Sequence, residues 1–177
     1  VIEGRELLDA WLGKARALGE QMGALDGSAR VPWFGPDMGV KMFATARQME
    51  TWAHGQAIFD VMGVARSETD RLKNIAVIGV KTFGWTFVNR KQEPPGPAPY
   101  VELTAPSGEV WTFNDFSEDD FVEGSAVDFC NVVTKVRNIA DVDLTVWGDV
   151  SEAWMSIAQC FAGPPEDPPE AGSRLVR

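Results

Sequence analysis

The single histidine of this 177-residue chain, His54, follows Glu50 by four positions in Met49-Glu50-Thr51-Trp52-Ala53-His54-Gly55-Gln56. On a helix, that spacing sets a carboxylate and an imidazole one turn apart on the same face. One oxygen donor and one nitrogen donor so placed can share a divalent metal ion, form a buried ion pair, or do nothing. The other reactive side chains are Cys130 and Cys160, both in segments that read as apolar helices. They are expected to be reduced core thiols in a cytosolic compartment, not a disulfide framework. Neither a nucleophile elbow nor a glycine-rich phosphate loop is present. The acidic stretch 114–120 lacks the regular spacing and central glycine of a calcium loop and reads as a solvated turn. Arg90 closes an apolar segment. It is an anion contact or a solvated helix-end charge, and the second reading is preferred.

The balance of 26 acidic against 16 basic residues gives a net charge of -10. That argues against a nucleic-acid backbone and against an anionic membrane surface as partner. A small anion gripped by one or two arginines stays open. No apolar run is long enough to span a bilayer, and no signal peptide is visible. The chain opens at Val1, and Ile2-Glu3-Gly4-Arg5 also matches an engineered protease site. The tetrapeptide is read as native, in a chain expected to lack natural residues at its amino end.

The elements that must position these residues follow from periodicity. Apolar residues from Leu7 to Leu25 recur at three-and-four spacing, which predicts a helix over 6–25 with one buried stripe. Val31-Pro32-Trp33-Phe34-Gly35-Pro36 cannot be helical and reads as a packed-down connector. A second helix is predicted over 40–62, with Phe43, Ala46, Glu50, Ala53, His54, Ala57 and Val61 inward. Buried there, the ionisable pair would need a partner or a metal to offset several kcal/mol of desolvation. A third helical segment runs from Thr69 to about Asn89. Residues 91–99 hold four prolines and read as a linker between a helical domain, 1–90, and an α+β domain, 100–163. Period-two alternation predicts a hairpin over 100–104 and 109–113, then short strands at 121–124 and 144–147. Helices are expected from Ser125 to about Arg137 and from Asp149 or Ser151 onward. The proline-rich residues 164–177 read as a disordered tail. The fold class is therefore α+β, with helices first and a small sheet second.

The segments Val31–Pro36, Ala44–Arg47 and Met49–Gln56, with Asp128–Thr134 and Ile157–Pro165, resemble the actinobacterial DinB-like proteins related to mycothiol-dependent maleylpyruvate isomerase. The resemblance implies a helical metal-binding bundle, here incomplete, followed by a sterol-carrier-like α+β domain. It implies a divalent metal, usually zinc, held by Glu50 and His54 together with a histidine on an earlier helix. It also implies mycothiol as cofactor or substrate, and makes Arg137 a contact for a small anionic substrate. Three departures stand out. No second histidine exists in the chain, Ala57 replaces a frequent acidic residue, and Asn138 replaces a frequent histidine. Two protein ligands are too few for a zinc site, so either a third is supplied by residues missing from this chain or by another chain, or the site is empty. The expected function is a metal- and thiol-dependent transferase or isomerase. The alternatives are a non-catalytic small-molecule or lipid-binding protein, or a subunit of a larger assembly whose partner chain or second copy completes the bundle.

Overall fold

The computed structural model describes residues 2–32 and 37–174. The class is α+β as predicted, with six α-helices and a mixed four-stranded sheet among the described residues. Two compact units divide the chain, Val1–Arg47 and Gln48–Arg177.

In the first unit, α1 (Gly4–Gly23) closes where the Ala24 N–H donates to Glu20 O at 3.1 Å and the Leu25 N–H to Met22 O at 3.3 Å. The helix forms where its spacing predicts, but the expected buried stripe does not: no α1 residue is buried, and Leu7, Leu8 and Trp11 are exposed. Amphipathic spacing specifies a helix and a stripe; it does not supply the surface that covers the stripe. Asp26 accepts the Ser28 N–H at 2.8 Å, turning the chain into β1 (Arg30–Val31), which pairs antiparallel with β2 (Met38–Gly39). Of the expected aromatic connector, Trp33, Phe34, Gly35 and Pro36 lie outside the described residues. The next helix, α2 (Val40–Met62), begins with the Val40 N–H donating to Ala29 O at 2.9 Å and continues into the second unit.

The second unit is built on the sheet. β3 (Tyr100–Thr104) and β4 (Val110–Phe113) form the predicted antiparallel hairpin. β5 (Phe121–Ser125) pairs with β3 in parallel, Tyr100 opposite Phe121 and Thr104 opposite Ser125. β6 (Leu144–Trp147) is antiparallel to β5, giving the order β4-β3-β5-β6. Val101 and Leu103 alternate inward from β3, with Trp111 and Val122 beside them in the core.

Four helices complete that core: α3 (Lys73–Lys81), α4 (Phe83–Asn89), α5 (Ala126–Val133) and α6 (Asp149–Ile157). Trp154 of α6 receives Phe83 and Phe129 edge-on, with ring centroids 5.4 and 5.8 Å away. Such pairs add to plain area burial. At Gly79 a Cβ would come within 2.9 Å of Phe129 and Val133, so α3 approaches α5 where only glycine fits. The segment expected as one helix to Asn89 breaks at Thr82. Its hydroxyl donates to the carbonyls of Ile78 and Gly79, at 2.8 and 2.9 Å, and such back-bonding competes with the helical ladder.

Ser125 caps α5 as expected, accepting the Val127 N–H at 3.2 Å. The helix stops at Val133, not Arg137, because Lys135 adopts the left-handed conformation, φ 60°. The N–H groups of Val136 and Arg137 then both return to Asn131 O. This closure is ordinarily made by glycine. Lys135 is buried as well, and burial followed by the charge of Arg90 pushes its ammonium down to about 8. Between pH 8 and the ordinary 10.5, the unfolded chain holds a proton there that the folded chain has released. Stability contributed by this group therefore rises with pH across that window. In urea denaturation, the difference between the unmodified protein and Lys135→Met is expected to shrink steadily from pH 8 to 10.5. A difference independent of pH would contradict the assignment.

The acidic stretch before β5 is more than a solvated turn. Asp120 Oδ1 accepts the N–H groups of Val150 and Ser151, at 2.9 and 3.1 Å, and so caps α6. Residues 91–99 also belong to the second unit: Gly96 faces Val150, and Asn114 donates to Pro99 O at 2.6 Å. From Pro164 onward the chain is tied by Gln159, which donates to Pro164 O and accepts from the Glu166 N–H. Asn138 donates to Pro169 O at 2.8 Å, and Asp141 accepts the Gly172 N–H. No helix among the described residues is long and apolar enough to cross a membrane.

Candidate functional site

The orientation of α2 decides what Glu50 and His54 can do. Within the second unit, three polar clamps hold one side of this helix. Gln48 donates to Arg71 O at 2.8 Å and accepts from Asn74 at 3.0 Å. Trp52 Nε1 donates to the Glu68 carboxylate at 3.0 Å, while Arg66 donates to Trp52 O at 2.8 Å and stacks over the rings of Trp52 and Phe59. Asp60 receives both terminal nitrogens of Arg137, at 2.6 and 2.9 Å, and the Gln56 amide at 3.0 Å. Met49 and Trp52 are thus the buried residues of this stretch.

That orientation corrects the expected inward face. His54, Ala57 and Val61 point away from the packed side, and the His54 side chain is 85% exposed. The reason is that α2 carries apolar residues on every side, so its pattern does not choose a face. His54 Nε2 lies 3.2 Å from Glu50 Oε2, whose side chain is 41% exposed. The two are together, one turn apart, as predicted, but in solvent and not in a core. An exposed carboxylate–imidazole pair contributes little to folding. Both donors are left open to a ligand.

Among the described residues, no group of three or more His, Cys, Asp or Glu side chains is placed to hold a metal ion. Cys130 and Cys160 are both free and buried, as expected of core thiols. Burial pushes Cys160 up to about 12, with the Glu50 carboxylate adding to it, and raises Cys130 well above the usual thiol range. Neither is a nucleophile near neutral pH. Arg137 is not brought to the Glu50–His54 pair. Its guanidinium is buried against Asp60, and Nη1 also donates to Val136 O at 3.1 Å. Burial opposes ionisation of Asp60 and is the largest single influence. The hydrogen bonds from Arg137 and Gln56, with the charges of Arg137 and Arg174, outweigh it and hold the carboxyl below its ordinary range.

The loop after α2 was the residue set that periodicity missed. Arg66 and Glu68 fix the rotation of the helix through Trp52, and a lone Arg-x-Glu in a loop carries no signal of that role.

Residues 3–59 match the mycothiol maleylpyruvate isomerase N-terminal domain. The match includes both Glu50 and His54 and agrees with the resemblance read from Met49–Gln56. Two uncharacterized proteins of Mycobacterium tuberculosis, from strains CDC 1551 / Oshkosh and H37Rv, are each 41% identical to it over 160 residues. Those matches take in 90% of this chain and 62% of each relative, so the chain spans less than two thirds of their length. No solved structure matches.

Proposed function

We propose that Glu50 and His54 are two ligands of a divalent metal ion, zinc by resemblance, in a mycothiol-dependent transferase or isomerase acting on a small anionic substrate. The observation that carries this reading is the exposed pair itself. Two donors of the kinds zinc accepts face each other at 3.2 Å, with the His54 side chain 85% and the Glu50 side chain 41% exposed. A purely structural pair would be expected among the clamps on the buried side, where Asp60 and Arg137 are.

The donor set fits a metal as a partial site. A carboxylate and an imidazole leave positions for a further protein ligand and for a thiol or water. The chain has no second histidine, so a further imidazole would come from beyond these residues. When bound, a divalent metal would favour the thiolate form of a coordinated thiol near neutral pH. The contribution of this chain is positional. The Gln48, Trp52 and Asp60 clamps fix the rotation of α2, and the i,i+4 spacing fixes the separation of the two donors. Arg137 holds the last turn of α2 through Asp60, and an anionic substrate reaching it would have to displace that carboxylate.

The test is metal analysis of the protein in its full natural length. Bound metal is expected to fall at least about ten-fold in Glu50→Ala and in His54→Ala. Equal metal in all three proteins would overturn the reading. A second reading, a subunit of a larger assembly, is favoured by the apolar residues beside the pair: Ile58, Val61 (89% exposed) and Met62. Sedimentation of the full-length protein as a monomer at high concentration would count against it.

A further inference from the structure

The sheet of the second unit has a face that the helices do not use. Its core side carries Val101, Leu103 and Val122, so strand alternation sets Tyr100 and Glu102 on the opposite side. Glu123 of β5 stands beside Glu102 in the same register. Tyr100 is 7% exposed even so. Part of its cover is Phe116, whose ring meets it edge-on with centroids 5.3 Å apart. Beside the two rings lies a cavity of about 450 Å³, lined also by Pro97, Asn114, Asp115 and Asp120.

The cavity is built into the fold. Asn114 takes the left-handed conformation, φ 62°, and its amide donates to Pro99 O at 2.6 Å, which ties the end of the hairpin to residues 97–99. The Tyr100 N–H donates to Asp120 O at 3.2 Å. Ser117 Oγ accepts the N–H groups of Asp119 and Asp120, at 3.2 and 3.1 Å. Asp120 is held in turn by the first turn of α6. Walls pinned in this way lower the ordering cost of binding. Phe116 is 71% exposed, so most of its ring is left to a ligand.

Charge selects the ligand. Among the described residues, no lysine or arginine lines the cavity, and Glu102, Asp115, Asp120 and Glu123 form no ion pair. The Tyr100 hydroxyl donates to Glu102 Oε2 at 2.6 Å, which leaves the ring for aromatic contact. The carboxylates do not converge as a metal site would: no group of three or more acidic, histidine or cysteine side chains among the described residues is placed to hold an ion. Dispersed negative charge around two aromatic rings suits a large, weakly hydrated cation, attracted by the ring quadrupoles and by the acids at longer range.

We propose that this cavity binds a small organic cation of the quaternary ammonium class against Tyr100 and Phe116, with Asp115 and Asp120 as countercharge. The site shares no residue with Glu50 and His54, so its failure would leave the metal reading untouched.

The probe is choline, titrated into the full chain carrying ring-labelled tyrosine and followed by nuclear magnetic resonance. Tyr100 is the only tyrosine of the chain, so one ring signal reports the cavity. Choline is expected to move that signal and to saturate it at roughly millimolar concentration. The neutral analogue, with a tert-butyl group in place of the trimethylammonium, is expected to bind about five-fold more weakly. Phe116→Leu removes the ring at an exposed position and keeps an apolar side chain. It is expected to weaken choline about five-fold and to leave the neutral analogue nearly unaffected. Equal affinity for choline and its neutral analogue would overturn the proposal. So would choline binding that Phe116→Leu leaves unchanged, or a Tyr100 signal that does not move up to about 100 mM choline.

Discussion

Replacing Arg137 by alanine is expected to destabilise the protein by about 3–5 kcal/mol, the cost of leaving one partner of a buried ion pair uncompensated. Both terminal nitrogens of Arg137 reach Asp60, and both side chains are largely withdrawn from water. The truncation leaves the Asp60 carboxylate with only the Gln56 amide as a hydrogen-bond donor among the partners described above. The double variant Arg137→Met with Asp60→Leu is expected to recover most of the loss, because it removes both charges. The sign of the pH dependence is fixed by Asp60. Its folded carboxyl lies below the ordinary value of 3.8, so the pair stabilises fully above that value and is lost as pH falls through the lower, folded one. Urea denaturation at pH 7 and at pH 3 measures both effects. A loss under about 1 kcal/mol at pH 7 would place the pair in the class of weak surface bridges.

Gly148→Ala is expected to cost about 3 kcal/mol or more, from backbone strain and the loss of a helix cap together. Gly148 has φ 95° and precedes α6. A Cβ there would lie 2.3 Å from both the Asp119 carbonyl and Asp120 Oδ1. The same Asp120 oxygen caps α6 through Val150 and Ser151. The methyl group therefore cannot be relieved by moving a side chain tip alone; it pushes the acidic stretch off the helix. Asp120→Ala removes the cap without the clash and is expected to cost about 1 kcal/mol. Thermal or urea unfolding that ranks the two variants equally would show that the strain at Gly148 is absorbed elsewhere.

The sequence carried the local structure of this protein well and its non-local structure poorly, for identifiable reasons. The hairpin of β3 and β4 is written in alternation and a Pro-Ser-Gly turn, and β5, β6, α5 and α6 each have a local pattern or cap. The parallel pairing of β3 with β5 depends on sixteen intervening residues returning the chain, which no window of alternation contains. The stop at Val133 depends on a lysine in a glycine conformation, so no turn residue announces it. For the candidate site, the Glu50–His54 separation was legible because helical spacing alone sets it. Their exposure was not, because Met49, Trp52, Ile58, Val61 and Met62 place apolar groups on all sides of α2. The choice of face was made by Glu68, Arg66 and Arg137, residues distant in sequence that bind one side of the helix. The contacts of Arg90 and Lys135 with residues 164–174 were hidden in the same way, behind a composition that reads as loose chain.

Glu50 and His54 are proposed to bind a metal and not merely to be neighbours. Crystals of the protein in its full natural length, grown with zinc and measured on both sides of the zinc absorption edge, test it most directly. An anomalous peak bonded to both a Glu50 oxygen and a His54 nitrogen at about 2.0–2.2 Å is expected. A peak elsewhere, or none with Glu50 and His54 still in direct contact at 3.2 Å, would contradict it.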